Sequence, residues 1–236
     1  GSEMCIRDSF NVENNITKMN TLYLQMNTKT LLDNAPLTRN SCRMIKRTFD
    51  ITTALIVLVL IFPWIYLIIA CAIKIIMPGP IFFKQKRTGK GGNVFICYKF
   101  RTMDAKNCSD KFVDPQLNKY SLGNFLRATS LDELPQFWNV LKGDMSIIGP
   151  RPHMLIHDEE YMNKIKEYSL RYAIKPGITG WAQVNGLRGE RNIERVKMRV
   201  SYDLWYIQHW SIALDIKIML RTIGCLLYTS PSPRDR

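Results

Sequence analysis

The chain has 236 residues and a net charge of +13, with 33 basic residues against 20 acidic ones. This length suits one domain of ordinary size plus appendages, and the basic surplus points to phosphate-bearing partners; nucleic acid is set aside, since there is no zinc-finger spacing, RNP-type aromatic motif or repeat of basic helices. The six cysteines form no C-x-x-C pair, which argues against a disulfide framework or a zinc knuckle and fits a reducing compartment.

Residues 1–45 read as a polar linker, rich in Asn and Thr. Its opening GSEMCIRDSF and the closing LLYTSPSPRDR match neither the pattern between them nor each other, so they are kept out of fold reasoning, and residues 225–236 read as a tail foreign to the domain. Residues 46–77 read as a membrane helix. The run Ile51–Ile73 carries no charge and is long enough for a bilayer core of ~30 Å. Pro63 near its middle breaks or kinks the helix, leaving halves of about 18 Å, roughly one leaflet each. Lys46 and Arg47 precede the run, and Lys74, Lys84, Lys86 and Arg87 follow it. A spanning helix concentrates Lys and Arg on one side, so basic residues on both flanks favour a re-entrant helix whose two ends share the cytoplasmic face.

Residues 78–224 read as the catalytic domain. Met77-Pro78-Gly79-Pro80 is a sharp turn. Ile81–Phe83 and Val94–Tyr98 are two short strands around a Gly-rich loop, which is not a Walker A motif because Gly91 follows Gly89-Lys90. Residues 104–120 read as loop, and a helix starts at Leu122. Leu134, Phe137, Trp138 and Leu141 have helical spacing, with Gly143 able to cap the end. His157–Tyr172 reads as a further helix, followed by a turn-rich loop at 175–181 and helices over 191–207 and 211–224. Trp205, Tyr206 and Trp210 fit an interfacial belt somewhat better than a core. The expected fold is α+β and mostly helical: a monotopic membrane-associated domain with a re-entrant N-terminal helix, a short β-hairpin and amphipathic interfacial helices.

The adjacent acids Asp132 and Glu133 are the centre of the chemistry. Neighbouring carboxylates are costly unless a cation neutralises them, and from a helix start both can reach one metal. Magnesium takes oxygen ligands and keeps few protein carboxylates, so one acid can hold metal while the other attacks phosphorus. Lys99, Arg101, Arg127 and Arg151 are candidates for binding a diphosphate. The structural alternative is that the two acids cap the helix that follows them. His153 and His157 lack a third ligand for zinc, Asp144 reads as an acidic neighbour pairing locally, and Asp158-Glu159-Glu160 as a solvated helix face.

The blocks KRTFDI, GPIFFKQKRTG, YKFRTM, FLRATSLDELPQFWNVLKGDMSIIGPRP and KPGITGWAQVNG, in that order over about residues 46–224, resemble the bacterial sugar transferases, the monotopic phosphoglycosyl transferases. PRPHMLIHDEEY and DLWYIQHWS are similar to the branch of undecaprenyl-phosphate glucose phosphotransferases, which usually carry further N-terminal membrane helices and a soluble domain. The resemblance implies transfer of a sugar 1-phosphate from a UDP-sugar to undecaprenyl phosphate at the cytoplasmic face of the bacterial inner membrane, as the first step of assembling a lipid-linked exopolysaccharide, O-antigen or capsule glycan. It implies that Asp132 attacks the β-phosphorus and releases UMP, that Glu133 binds Mg2+, and that Lys99, Arg101, Arg127 and Arg151 hold phosphates. Glucose is the first sugar implied and galactose the next; membrane lipid is a further partner, and a homodimer is left open. The family's re-entrant helix often breaks at Ser-Pro, whereas Phe62-Pro63 stands here. Two other readings compete: a metal-dependent glycosyltransferase releasing UDP, disfavoured by the lack of an Asp-x-Asp motif, and a non-catalytic scaffold, disfavoured by the intact acid pair.

Overall fold

A computed structural model describes residues 35–77, 79–103, 122–187 and 192–228. The expected loop at 104–120, the start of the linker and most of the tail lie outside them. The described residues are mostly helical. A single helical rod comes first: α1 (Asn40–Ile56), a π turn (Val57–Ile61) and α2 (Phe62–Ile76). The linker therefore ends earlier than position 45: a 3-10 turn occupies Pro36–Thr38, and helix begins at Asn40. Pro63 does not end the rod. It lacks the N–H an α turn would use, and the chain meets it with a wider turn, in which the Phe62 N–H donates to the Val57 carbonyl.

The N-terminal end of the rod is tied down by buried polar contacts. Lys46 Nζ lies 2.8 Å from Asp215, which also accepts from the Tyr206 hydroxyl (2.6 Å) and Trp210 Nε1 (3.0 Å). Arg47 donates to the carbonyls of Val140 and Leu141, and Asp50 accepts from the Ile147 N–H and the Ser146 hydroxyl. The Lys-Arg pair read as a basic flank is thus largely a docking clamp. Further along, Ile69, Ile73 and Met77 pack with Phe100 and Leu126. Between these two docked ends no residue from Leu55 to Ile68 is buried. Val59, Trp64 and Ile68 are 64%, 71% and 72% exposed, a contiguous apolar surface of the kind that marks a contact with lipid or a partner.

The expected hairpin is present and longer than its apolar runs suggested. β1 (Phe82–Thr88) pairs antiparallel with β2 (Val94–Phe100), from Phe82 opposite Phe100 to Thr88 opposite Val94. Then come α3 (Leu122–Ala128), a 3-10 turn (Leu131–Glu133) and α4 (Gln136–Lys142), ended by Gly143 at φ 100°. β3 (Ser146–Ile148) pairs parallel with β4 (Gly177–Thr179), a contact between segments too short to show a period in the sequence. The helix expected over His157–Tyr172 is two elements, α5 (Leu155–Lys164) and a 3-10 segment (Tyr168–Ala173). α6 (Trp181–Val184), α7 (Ile193–Gln208) and α8 (Ile212–Tyr228) complete the chain, the last two close to expectation.

Two residue readings change. Tyr206 and Trp210 are core residues, 1% and 6% exposed, because their polar atoms meet Asp215 there; Trp205 alone of the three is exposed. Asp158 is fully buried, accepting from the hydroxyls of Thr88 and Tyr168, so it does not belong to a solvated face. A buried carboxylate with two donors is hydrogen-bonded in place rather than exposed to water.

Candidate active site

Asp132 and Glu133 sit on the 3-10 turn between α3 and α4. The chain enters that turn through Ser130 at φ 56°, the one non-glycine residue with positive φ among those described. Such backbone is uncommon outside glycine; here it reverses the chain so that both acids point inward, each 6% exposed. Neither the turn nor α4 has a side-chain cap bond at its N-terminus, so the acids are not acting as caps.

The acids are not equivalent. Arg151, on the Gly-Pro-Arg-Pro turn after β3, grips Glu133 with both terminal nitrogens: Nη1 lies 3.2 Å from Oε2, and Nη2 bonds Oε1. Lys99, from the end of β2, places Nζ 2.8 Å from Glu133 Oε1 and 3.8 Å from Asp132 Oδ2. Burial alone would raise the Glu133 carboxyl, but Arg151 and Lys99 overcome it and hold that group well below the usual carboxylate range. Asp132 has no such clamp. Burial pushes it up from 3.8 to about 6, with Lys99 opposing and the Glu133 charge adding to the rise. Near neutral pH one acid is therefore a locked anion, while the other is a desolvated, more basic carboxylate.

The structure brings Lys99 and Arg151 to the pair as expected. Arg127 lies in the last turn of α3, exposed and bonded to Asn124; its charge acts weakly on Asp132. Arg101 lies elsewhere in its contacts: it is buried, donates to the Met77 carbonyl, and crowds Gly79, where its guanidinium leaves no room for a side chain. It ties the end of α2 to the hairpin. Pro63 lies on the exposed stretch of the rod.

Several supporting residues escaped the sequence reading. Asn139 on α4 donates to the Ile96 carbonyl (2.7 Å) and accepts from the Tyr98 N–H (3.1 Å), fixing β2, and with it Lys99, against the helix that follows the acids. Arg171 donates to the Arg151 carbonyl (2.8 Å) while its Nε binds Asp203 (2.7 Å), and Arg87 donates to the Pro152 carbonyl (3.0 Å). These bonds hold the turn that aims Arg151. A lone Asn among the apolar positions of α4 was the one signal available for them. His153 lies half-buried between Arg171 and Arg199, and desolvation with the two guanidiniums keeps its imidazole well below 6.5, so it is neutral. Asp144 pairs with Lys142 (3.3 Å).

Among the described residues no group of three or more His, Cys, Asp or Glu side chains converges for a metal. Lys99 Nζ nonetheless shows that one cation can lie within reach of both Asp132 and Glu133. Their oxygens suit Mg2+ if phosphate oxygens and water supply the remaining ligands.

A family model described as Bacterial sugar transferase matches residues 41–229. The UDP-glucose:undecaprenyl-phosphate glucose-1-phosphate transferase of Escherichia coli (strain K12) is 50% identical over 188 residues, which cover 77% of this chain and 40% of that protein. The protein of the same name from Caulobacter vibrioides is 44% identical over 204 residues, 85% of this chain and 76% of that protein. The UDP-N-acetylgalactosamine-undecaprenyl-phosphate N-acetylgalactosaminephosphotransferase of Aeromonas hydrophila is 40% identical over 187 residues, 78% and 44% respectively. The chain thus spans less than half the length of the first and third of these relatives.

Proposed function

Because this chain belongs to the bacterial sugar transferase family, we propose that it moves a sugar 1-phosphate from a UDP-sugar to undecaprenyl phosphate and releases UMP, with Asp132 as nucleophile. The observation that carries this reading is the inequality of the acid pair: Glu133 is clamped by Arg151 and Lys99, and Asp132 is buried with its nearest cation at 3.8 Å. An attacking carboxylate must be ionised yet basic, and a value of about 6 meets both needs near neutral pH.

In the first step an Asp132 oxygen bonds the β-phosphorus and the bond to UMP breaks. In the second an oxygen of the lipid phosphate bonds that phosphorus and the bond to Asp132 breaks, which regenerates the carboxylate. Lys99 and Arg151 are placed to neutralise phosphate oxygens beside Asp132, with Arg127 at the rim. Mg2+ held by Glu133 and Asp132 would supply charge neutralisation for the diphosphate. Arg101 acts through positioning the hairpin. Glucose is the favoured sugar, since the relatives at 50% and 44% identity are named for UDP-glucose; the relative at 40% is named for UDP-N-acetylgalactosamine.

The rod is read as a re-entrant membrane helix. Its unburied stretch, Leu55–Ile68, is about 21 Å long at helical rise, short of a hydrocarbon core of ~30 Å. The docking of both its ends on one domain supports reading them on one face, the cytoplasmic face where UDP-sugars are found. Cysteine labelling of the two ends tests this: modification from opposite sides would mean a span.

The functional test is incubation with a panel of UDP-sugars, undecaprenyl phosphate and Mg2+. UMP and a diphosphate-linked lipid are expected. UDP as product would instead mean a glycosyltransferase that moves the sugar alone, and no nucleotide release with any sugar would favour a binding protein.

A further inference from the structure

A cavity of about 290 Å³ opens beside the acid pair. Thr53 and Val57 of the apolar rod, Met219 and Ile223 of α8, Phe137 of α4 and Glu133 are among the residues that line it. Among the described residues no lysine or arginine lines it, so they give it no cation for a nucleotide's phosphates. Next in the chain to wall residues Val57 and Met219, the apolar Ile56 and Leu220 are 51% and 61% exposed. The cavity thus lies between the apolar rod and α8 with Glu133, the neighbour of Asp132, in its lining. Glu133 is already neutralised by Arg151 and Lys99, which lowers the cost of setting an apolar chain beside it.

We propose that this cavity seats the first isoprene units of the lipid phosphate acceptor, entering between the rod and α8 and bringing the phosphate to the Lys99–Arg151 side of the pair. The proposal rests on the transfer reading given above. It extends that reading with a route: the nucleotide sugar reaches Asp132 from the polar side and the acceptor from the apolar side. The two substrates then need not exchange places in one pocket between the two steps.

The experiment separates the half-reactions. Exchange of labelled UMP into UDP-sugar, without acceptor, reports attack by Asp132 alone; transfer to undecaprenyl phosphate reports both steps. Val57→Trp and Ile223→Trp each fill the cavity. Ile68→Trp, on the exposed face of the rod and outside the lining, is the control for folding and membrane attachment. For the two filling variants, transfer is expected to show a rise of tenfold or more in KM for the lipid acceptor, with exchange within twofold of wild type, and the control is expected to match wild type in both. Equal losses of exchange and transfer, or no change in either, would overturn the acceptor site while leaving the chemistry of Asp132 intact. Absence of exchange in the wild-type protein would instead overturn the transfer reading itself, and the acceptor site with it.

Discussion

Replacing Asp132 by Asn separates catalysis from stability. The carboxyl is raised from 3.8 to about 6 chiefly by burial, so the folded state resists its ionisation. At 1.36 kcal/mol per pKa unit this is worth about 3 kcal/mol. The sign follows from linkage. Below pH 3.8 the group is protonated in both folded and unfolded chains, and it contributes nothing. Between pH 3.8 and 6 the unfolded chain ionises while the folded one keeps its proton, so the wild type loses stability as pH rises. Above 6 the full cost is present. Asp132→Asn removes it, and the variant is expected to be no more stable than wild type at pH 4 but about 3 kcal/mol more stable at pH 7, while losing transfer. For a domain of this size that is a rise in Tm of roughly 6–12 °C. Thermal unfolding of both proteins in the same detergent at pH 4, 5, 6 and 7 reads the difference directly. A gap that does not widen with pH, or a variant less stable at pH 7, would refute the claim that Asp132 is a desolvated carboxylate held at a cost.

Three further outcomes follow from the same contacts. The rate of UMP exchange should fall about tenfold per pH unit below 6 and level off above it, as Asp132 passes to its ionised form; a profile flat down to pH 4.5 would remove Asp132 as nucleophile. Glu133→Gln leaves the Arg151 guanidinium without its charged partner and should lower stability by about 3–5 kcal/mol. In whatever folds, it should move the acid limb of the rate profile below 6, because Arg151 and Lys99 then act on Asp132 alone; a wild-type Tm with an unmoved limb would contradict the clamp. Asn139→Leu strips partners from the Ile96 carbonyl and the Tyr98 N–H, at about 1–3 kcal/mol each. Faster hydrogen exchange at Tyr98 should accompany the loss, and an unchanged rate there would show that β2 is held by other means.

The parts legible in the sequence were those with a local signal. The uncharged run, the Gly-bounded strands, the helical spacing before Gly143 and the last two helices all appear near their expected places. Lys99 and Arg151 could be tied to the acids because the motif blocks carry them together, although 34 and 18 residues separate them from Glu133. Contacts between distant segments were not legible. Lys46 reads as a basic flank until Asp215, 169 residues later, is seen to bind it. Asp158 is followed by two further acids and has nothing nearby to show that Thr88 and Tyr168 close over it. Helical spacing likewise placed Trp138 with Phe137, yet Trp138 is 57% exposed, because α4 is packed on one side only. Arg101 is the sharpest case: nothing in its charge foretold its burial against Gly79 or its bond to the Met77 carbonyl.

The π turn at Val57–Ile61 has a consequence for the angular phase of the rod. At about 100° per residue, an unbroken α-helix would set Ile73 roughly 100° around the axis from Ala54. The side of α1 that docks through Lys46, Asp50 and Ala54 would then face away from the side of α2 that docks through Ile69 and Ile73. A π turn holds close to one residue more than the α turn it replaces. It winds the second half back by about 100°, which brings Ile73 into line with Ala54. One wide turn thus acts as a phase corrector that lets both halves of the rod present their buried stripes to the same domain. Deleting a single residue from Val57–Ile61 would let the rod close into regular α geometry with Ile69 and Ile73 still facing Phe100 and Leu126, whereas inserting one there would turn them about 100° away.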